Sequence, residues 1–177
     1  MEYKVSYRRV KYPRLEFKTG ELLLILPFGQ DPKPFVEKHR RWIERKAEFI
    51  RECLRDSSGK RLVERSPGEF KALVYSFVEE ISKELGVKVR KVFFRKMRTK
   101  WASCSPKGNL TVNPLLNFLP KRLIEYVIFH EVAHLIEKRH NENFWKIISR
   151  RFKNHQDLDK DLFAYWFSIQ HFKSNTV

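Results

Sequence analysis

A chain of 177 residues suits one domain, or one domain with an appended subdomain, and can bury a sizeable core. Apolar runs such as Leu22 to Leu26 are strand-sized and far below the roughly 18 residues of a membrane-spanning helix. No apolar segment follows Met1-Glu2-Tyr3-Lys4, so the expectation is a soluble cytoplasmic protein with no membrane partner and no signal peptide. Two lone cysteines, Cys53 and Cys104, argue against a disulfide framework, and a net charge of +16 suits polyanionic partners: nucleic acid, nucleotides or acidic proteins.

In chain order, residues 1 to 27 carry strand patterning. Tyr3, Val5 and Tyr7 alternate with polar residues, Leu15 and Phe17 do the same, and Thr19-Gly20 is a turn signal before a strand from Glu21 to Leu26. This predicts a small antiparallel meander. From Pro34 to about Arg55 the apolar spacing becomes helical, through Phe35, Val36, His39, Trp42, Ile43, Phe49, Ile50 and Cys53. The opposite face carries Lys38, Arg40, Arg41, Arg45 and Arg51, a first candidate surface for a polyanion. Asp56-Ser57-Ser58-Gly59-Lys60 reads as a linker.

A second helix is predicted from Pro67 to Leu85, with Ser66 as N-cap, Glu69 completing a capping box and Gly86 as the stop. Val87 to Arg95 reads as a strand. Trp101 to Val112 reads as a hairpin turning at residues 105–109. Pro120 opens a helix expected to run to about Lys138. Asn141 caps a further helix, and a last helix spans about Asp157 to His171 before a fraying tail. The order of strands, helices, hairpin and helices predicts an α+β fold: a small antiparallel meander and a hairpin packed with helices. The expected division is residues 1–56 as a meander plus helix, 57–66 as a linker, and 67–177 as the main domain.

Chemistry concentrates in the helix after Pro120, which contains His130-Glu131-Val132-Ala133-His134 among apolar neighbours. Positions i and i+4 of a helix lie about 40° apart around the axis and about 6 Å along it, so both imidazoles can face one metal ion. Glu131, about 100° round, can reach a water beside that ion. A catalytic zinc commonly takes three protein ligands, and His140 offers the third if the chain turns near residues 137–139. Glu142 is the alternative third ligand. His39, His155 and His171 read as surface or packing residues. The apolar surround argues against two solvated surface histidines, because burying those groups without a partner is costly.

Trp101-Ala-Ser-Cys-Ser105, Lys107-Gly-Asn-Leu110, His130-Glu-Val-Ala-His134, His140 and Phe144-Trp145 together resemble the YgjP-like metallopeptidase family, whose members are related to the WLM and SprT-like proteases. The resemblance runs over nearly the whole chain. It implies a zincin-like active-site helix, a zinc ion held by His130, His134 and His140, and Glu131 as general base. Ala102 stands where the family pattern leads one to expect Gly. The metzincin pattern shares the ligand spacing, but it requires Gly where Glu137 stands and a methionine downstream, whereas Met1 and Met97 both lie upstream.

The expected activity is zinc-dependent hydrolysis of peptide bonds in a peptide or protein substrate. Arg98, Lys100, Ser103, Tyr126 and Tyr165 are the candidate donors to an oxyanion, with no ground in the sequence for choosing among them. Two alternatives stay open: a zinc-dependent phosphohydrolase acting on nucleotides, and a basic protein or protease associated with nucleic acid. The oligomeric state is not legible.

Overall fold

The computed structural model describes residues 3–18, 21–57 and 59–174. It places the chain in two compact units, Met1–Gly59 and Lys60–Val177. The class is α+β: six helices and two three-stranded sheets among the described residues.

In the first unit the strands are β1 (Tyr3–Tyr7), β2 (Arg14–Lys18) and β3 (Glu21–Leu26), in spatial order β1-β3-β2. The strands are those expected, but their connection is not a meander. β1 pairs with β3 in parallel, Val5 opposite Leu24, and β2 pairs with β3 antiparallel, Leu15 opposite Leu24. β3 holds the most continuous apolar run of the three. Leu22, Leu24 and Leu26 are buried on one face and Ile25 on the other, so the centre of the sheet is the position that suits it. The Thr19-Gly20 turn lies outside the described residues.

The helix expected from Pro34 to Arg55 is two helices, α1 (Pro32–Lys38) and α2 (Arg40–Ser57). The break falls at His39. Its ring Nδ1 sits 2.8 Å from the Phe35 carbonyl, and its backbone N–H turns to Val36 O at 3.1 Å. The side chain thus takes the acceptor that a continuing helix would have used. Ile43 on α2 is buried against Leu22, Leu24 and Leu26, whereas Trp42 beside it is exposed. Among the cations of the expected basic face, Arg40 pairs with Glu37 and Glu44, and Arg51 with Glu48.

The second unit runs α3 (Pro67–Leu85), β4 (Lys91–Phe94), β5 (Ala102–Cys104), β6 (Asn109–Val112), α4 (Lys121–Ala133), α5 (Glu142–Arg151) and α6 (His155–Ser174). α3 has the full capping box, Ser66 Oγ accepting from Glu69 N and Glu69 accepting from Ser66 N, and it ends at Gly86 in the left-handed region. The sheet order is β4-β6-β5, with β4 parallel and β5 antiparallel to β6. The hairpin is as expected. The strand expected from Val87 to Arg95 shortens to Lys91–Phe94, and a short 3₁₀ helix, Pro114–Phe118, follows Asn113. Asn113 is fully buried, caps that turn and donates to Met97 O and Lys100 O, which holds the 97–100 loop.

Residues 60–66 belong to this unit. Val63 N–H donates to Phe118 O, Arg65 donates to Asn117 O and Leu119 O, and Lys60 pairs with Asp161. α4 forms the centre of the core, packed by α3, α5, α6 and β5, with Ile124, Ile128, Val132 and Ala133 fully buried. Arg151 of α5 bridges Glu80 and Glu84 of α3 and Glu125 of α4, tying three helices at one point.

Gly108 closes the hairpin at φ +78°, and a Cβ there would lie 2.8 Å from Lys88 O. The left-handed conformation alone costs a non-glycine residue about 1–2 kcal/mol, and the overlap adds to it. Gly108→Ala should therefore lower the urea-unfolding free energy by at least about 1–2 kcal/mol. Ser66→Ala, which removes only a cap, should cost about 1 kcal/mol.

Candidate metal centre

α4 was expected to reach Lys138 but ends at Ala133, with His134 as its C-cap. Leu135 N–H bonds to Val132 O and Ile136 N–H to Ala133 O, tightening the last turn. The His134 ring Nδ1 lies 3.0 Å from Glu137 O, which anchors the turn that follows. The chain then reverses, and Asn141 starts α5 by accepting from Phe144 N–H at 3.1 Å. The reversal carries His140 back over α4.

The result is one cluster. A ligand atom from each of His130, His134 and His140 lies within 4.8 Å of the others, a set that can hold a metal ion. His130 Nε2 and His140 Nε2 are 3.0 Å apart. Glu142, the alternative ligand, lies outside the cluster: its side chain is largely exposed and pairs with Lys146 at 2.8 Å. Cys104 is not among the clustered donors, and burial pushes its thiol up to about 11.

Phe144 and Trp145, at the start of α5, form an aromatic wall. Phe144 stacks on the His134 ring and meets His130 edge-on, and Trp145 stacks on His140 on one side and His155 on the other. Burial is the main force on the His130 proton. It depresses the imidazole to about 3, with help from the positive forms of His134, His140 and His155. Burial also raises the Glu131 carboxyl above its ordinary range, opposed by the Cys104 N–H, His134 and Lys100. Glu131 Oε2 accepts that N–H at 3.0 Å, so its carboxylate is tied to strand β5.

Behind the cluster lies a second polar layer. Tyr126, one turn before His130 and almost fully buried, donates to Asp159 Oδ1 of α6 at 2.8 Å. Burial raises Asp159, and the Tyr126 hydroxyl, His155 and His140 oppose the rise. Tyr126 was legible as a neighbour of His130 from its i,i+4 spacing. Asp159 carried no local signal, because only the packing of α6 brings it near. The Tyr126 and Tyr165 hydroxyls, two of the candidate oxyanion donors, are engaged with Asp159 and with Arg61 O.

The depressed His130 gives a pH dependence with a definite sign. A neutral buried imidazole contributes stability above the unfolded value of 6.5, and this is lost as pH falls towards about 3. The raised carboxyls of Glu131 and Asp159 act oppositely: their contribution is present below the ordinary carboxylate range and fades as pH rises above it. Chelator-treated protein should lose stability on acidification from about pH 7 to about pH 4, by at most about 3 kcal/mol from His130. Urea unfolding of His130→Phe beside wild type checks this, and the variant should show the shallower slope.

A family model described as the YgjP-like metallopeptidase domain matches residues 57–165. None of the curated proteins matches the chain. Among solved structures it is similar to the metallopeptidase zymogen abylysin of Pyrococcus abyssi: 24% identity, TM-score 0.48, covering 51% of this chain and 92% of that one. It is also similar to the metallopeptidase zymogen jannalysin of Methanocaldococcus jannaschii: 24% identity, TM-score 0.45, covering 50% and 84% respectively. The family match spans well over half of the sequence and includes the whole histidine cluster, and on that match the chain belongs to the YgjP-like metallopeptidase family.

Proposed function

We propose that this protein is a zinc-dependent metallopeptidase that hydrolyses peptide bonds, with His130, His134 and His140 as the metal ligands and Glu131 as the general base. The catalytic domain is the second unit, in which residues 60–66 join the stretch expected from residue 67 onward. The observation that carries this reading is the convergence of three imidazole donors beside a carboxylate that is itself tied to a strand edge.

The residues fit the ion. Zinc binds imidazole nitrogen at about 2.0–2.1 Å, which puts tetrahedral donors about 3.3 Å apart. The 3.0 Å separation of the His130 and His140 Nε2 atoms is close to that spacing. Glu137 O accepts a hydrogen bond from His134 Nδ1–H, which leaves Nε2 as the ligating atom. When bound, the ion supplies Lewis acidity towards a scissile carbonyl and a water. The rest falls to the chain. The Cys104 N–H fixes the rotation of the Glu131 carboxylate, which accepts the water's proton and later delivers it to the leaving amine.

β5 suits an extended peptide. Trp101 O and Ser105 N–H bond towards β6, so Ala102 and Cys104 turn their backbone groups away from it. β5 is an edge strand, and a substrate can add to that edge beside Glu131. Family membership favours a peptide or protein substrate over a nucleotide.

Metal analysis should find about one zinc per chain in wild type, and loss of at least about tenfold in affinity in His134→Ala. Glu131→Gln should keep the metal and lose about 10²–10⁴-fold in peptide hydrolysis. Full hydrolysis by that variant would overturn the role of Glu131, and a protein that takes up no zinc would overturn the whole reading.

A further inference from the structure

The sequence from Leu85 to Ile124 contains no Asp or Glu and ten Lys or Arg, eight of them between Lys88 and Lys107. All eight are exposed. Among the described residues none of the eight forms an ion pair, although Arg40, Arg51, Lys83 and Lys146 on the helices all do. The positive charge is therefore concentrated, without ion pairs among the described residues, on the segments that flank the sheet beside the metal centre.

Part of this charge lines a built pocket. Lys88, Arg90 and Lys107, with Val87, Gly108 and Leu135, surround an open cavity of about 450 Å³. Its geometry is set by the backbone. Arg90 N–H donates to Gly108 O at 2.7 Å, and the missing Cβ of Gly108 permits the close approach of Lys88 O. Leu135, directly after His134, forms the wall on the metal side. Three like charges around one cavity repel, and a bound anion relieves that repulsion. The pocket sits at the turn end of β5, and Lys100 stands at the other end, where its charge reaches Glu131. A peptide on the edge of β5 would run between them, and at about 3.3 Å per residue the pocket lies about two or three residues from Cys104.

Building on the metallopeptidase reading, we propose that this site selects acidic peptides, with Lys88, Arg90 and Lys107 receiving a carboxylate side chain about two or three residues from the scissile bond. A nucleic acid fits the same charge less well. A stacking groove needs successive aromatic faces, and Phe93 is the one exposed large aromatic between Lys88 and Lys107 among the described residues.

The test is binding to full-length, zinc-loaded Glu131→Gln protein, read by fluorescence anisotropy. The probes are a labelled peptide rich in Asp and Glu, its Asn/Gln counterpart of equal length, and a single-stranded oligonucleotide. The acidic peptide should bind at least about tenfold more tightly than the neutral one at about 50 mM salt, with the difference shrinking as salt rises. Adding Lys88→Gln, Arg90→Gln and Lys107→Gln should bring the two peptides to near parity. Circular dichroism checks the fold of that protein, and Lys107→Gln alone, on the exposed turn, serves if the triple change unfolds it. Equal binding of the two peptides, an undiminished preference in the charge variants, or tighter binding of the oligonucleotide overturns the proposal. Wild-type cleavage of neutral and acidic peptides at equal rates would remove the acidic preference and leave the peptidase reading intact. Tight acidic binding with no cleavage of any peptide by zinc-loaded wild type would do the reverse.

Discussion

Burying imidazole and carboxylate groups inside a protein is costly unless each finds a partner. α4 carries His130, Glu131 and His134 among side chains that are almost wholly excluded from water. Much of the second unit can be read as the means of meeting that cost. β5 offers the Cys104 N–H to Glu131, the turn after Ala133 offers Glu137 O to His134, and the reversal at residues 138–141 brings His140 to His130. Phe144 and Trp145 stack on the rings of His134 and His140. A shared metal ion would complete the arrangement, because it satisfies three nitrogens at once.

The early end of α4 is central to this arrangement. A helix continued to Lys138 would carry residue 140 along the axis, away from His130. By stopping at Ala133 the chain frees carbonyls for the tight turn and lets the His134 ring hold Glu137 O. α5 then begins at an asparagine cap, placing Phe144 and Trp145 against the site in its first turn. Arg151 at the far end of α5 locks the helix to α3 and α4 through three carboxylates, so both ends of the element that shields the histidines are secured.

Charge is divided between elements in a way the total of +16 conceals. Cations on α2, α3 and α5 have carboxylates one turn away. Such exposed pairs add little stability, but they neutralise the local field. The sheet of β4, β5 and β6 and the segments between its strands lack carboxylates altogether and keep their field. A basic helix face looked the better polyanion surface in the sequence. In the structure its charges are partly paired, and the uncompensated charge lies next to the metal centre instead.

Much of this was legible in one dimension wherever the signal was local. The period of α3, its Ser66–Glu69 box and Gly86 stop, the hairpin turn and the Asn141 cap all depend on residues within a turn of each other, and each appears as read. The His130–His134 pair is likewise a property of helical spacing. What the sequence could not reveal depends on distant partners. β3 took the centre of the first sheet because two other strands needed its apolar run, so β1 became parallel to it. His39 broke a helix through one side-chain contact. Tyr126 met Asp159, and Glu131 met Cys104, only because α6 and β5 packed against α4. The sequence by itself determined the donor types and their spacing along one helix. Tertiary structure decided which third residue joined them, what holds the carboxylate and where the bare charge gathers, because those are contacts between segments that no local period encodes.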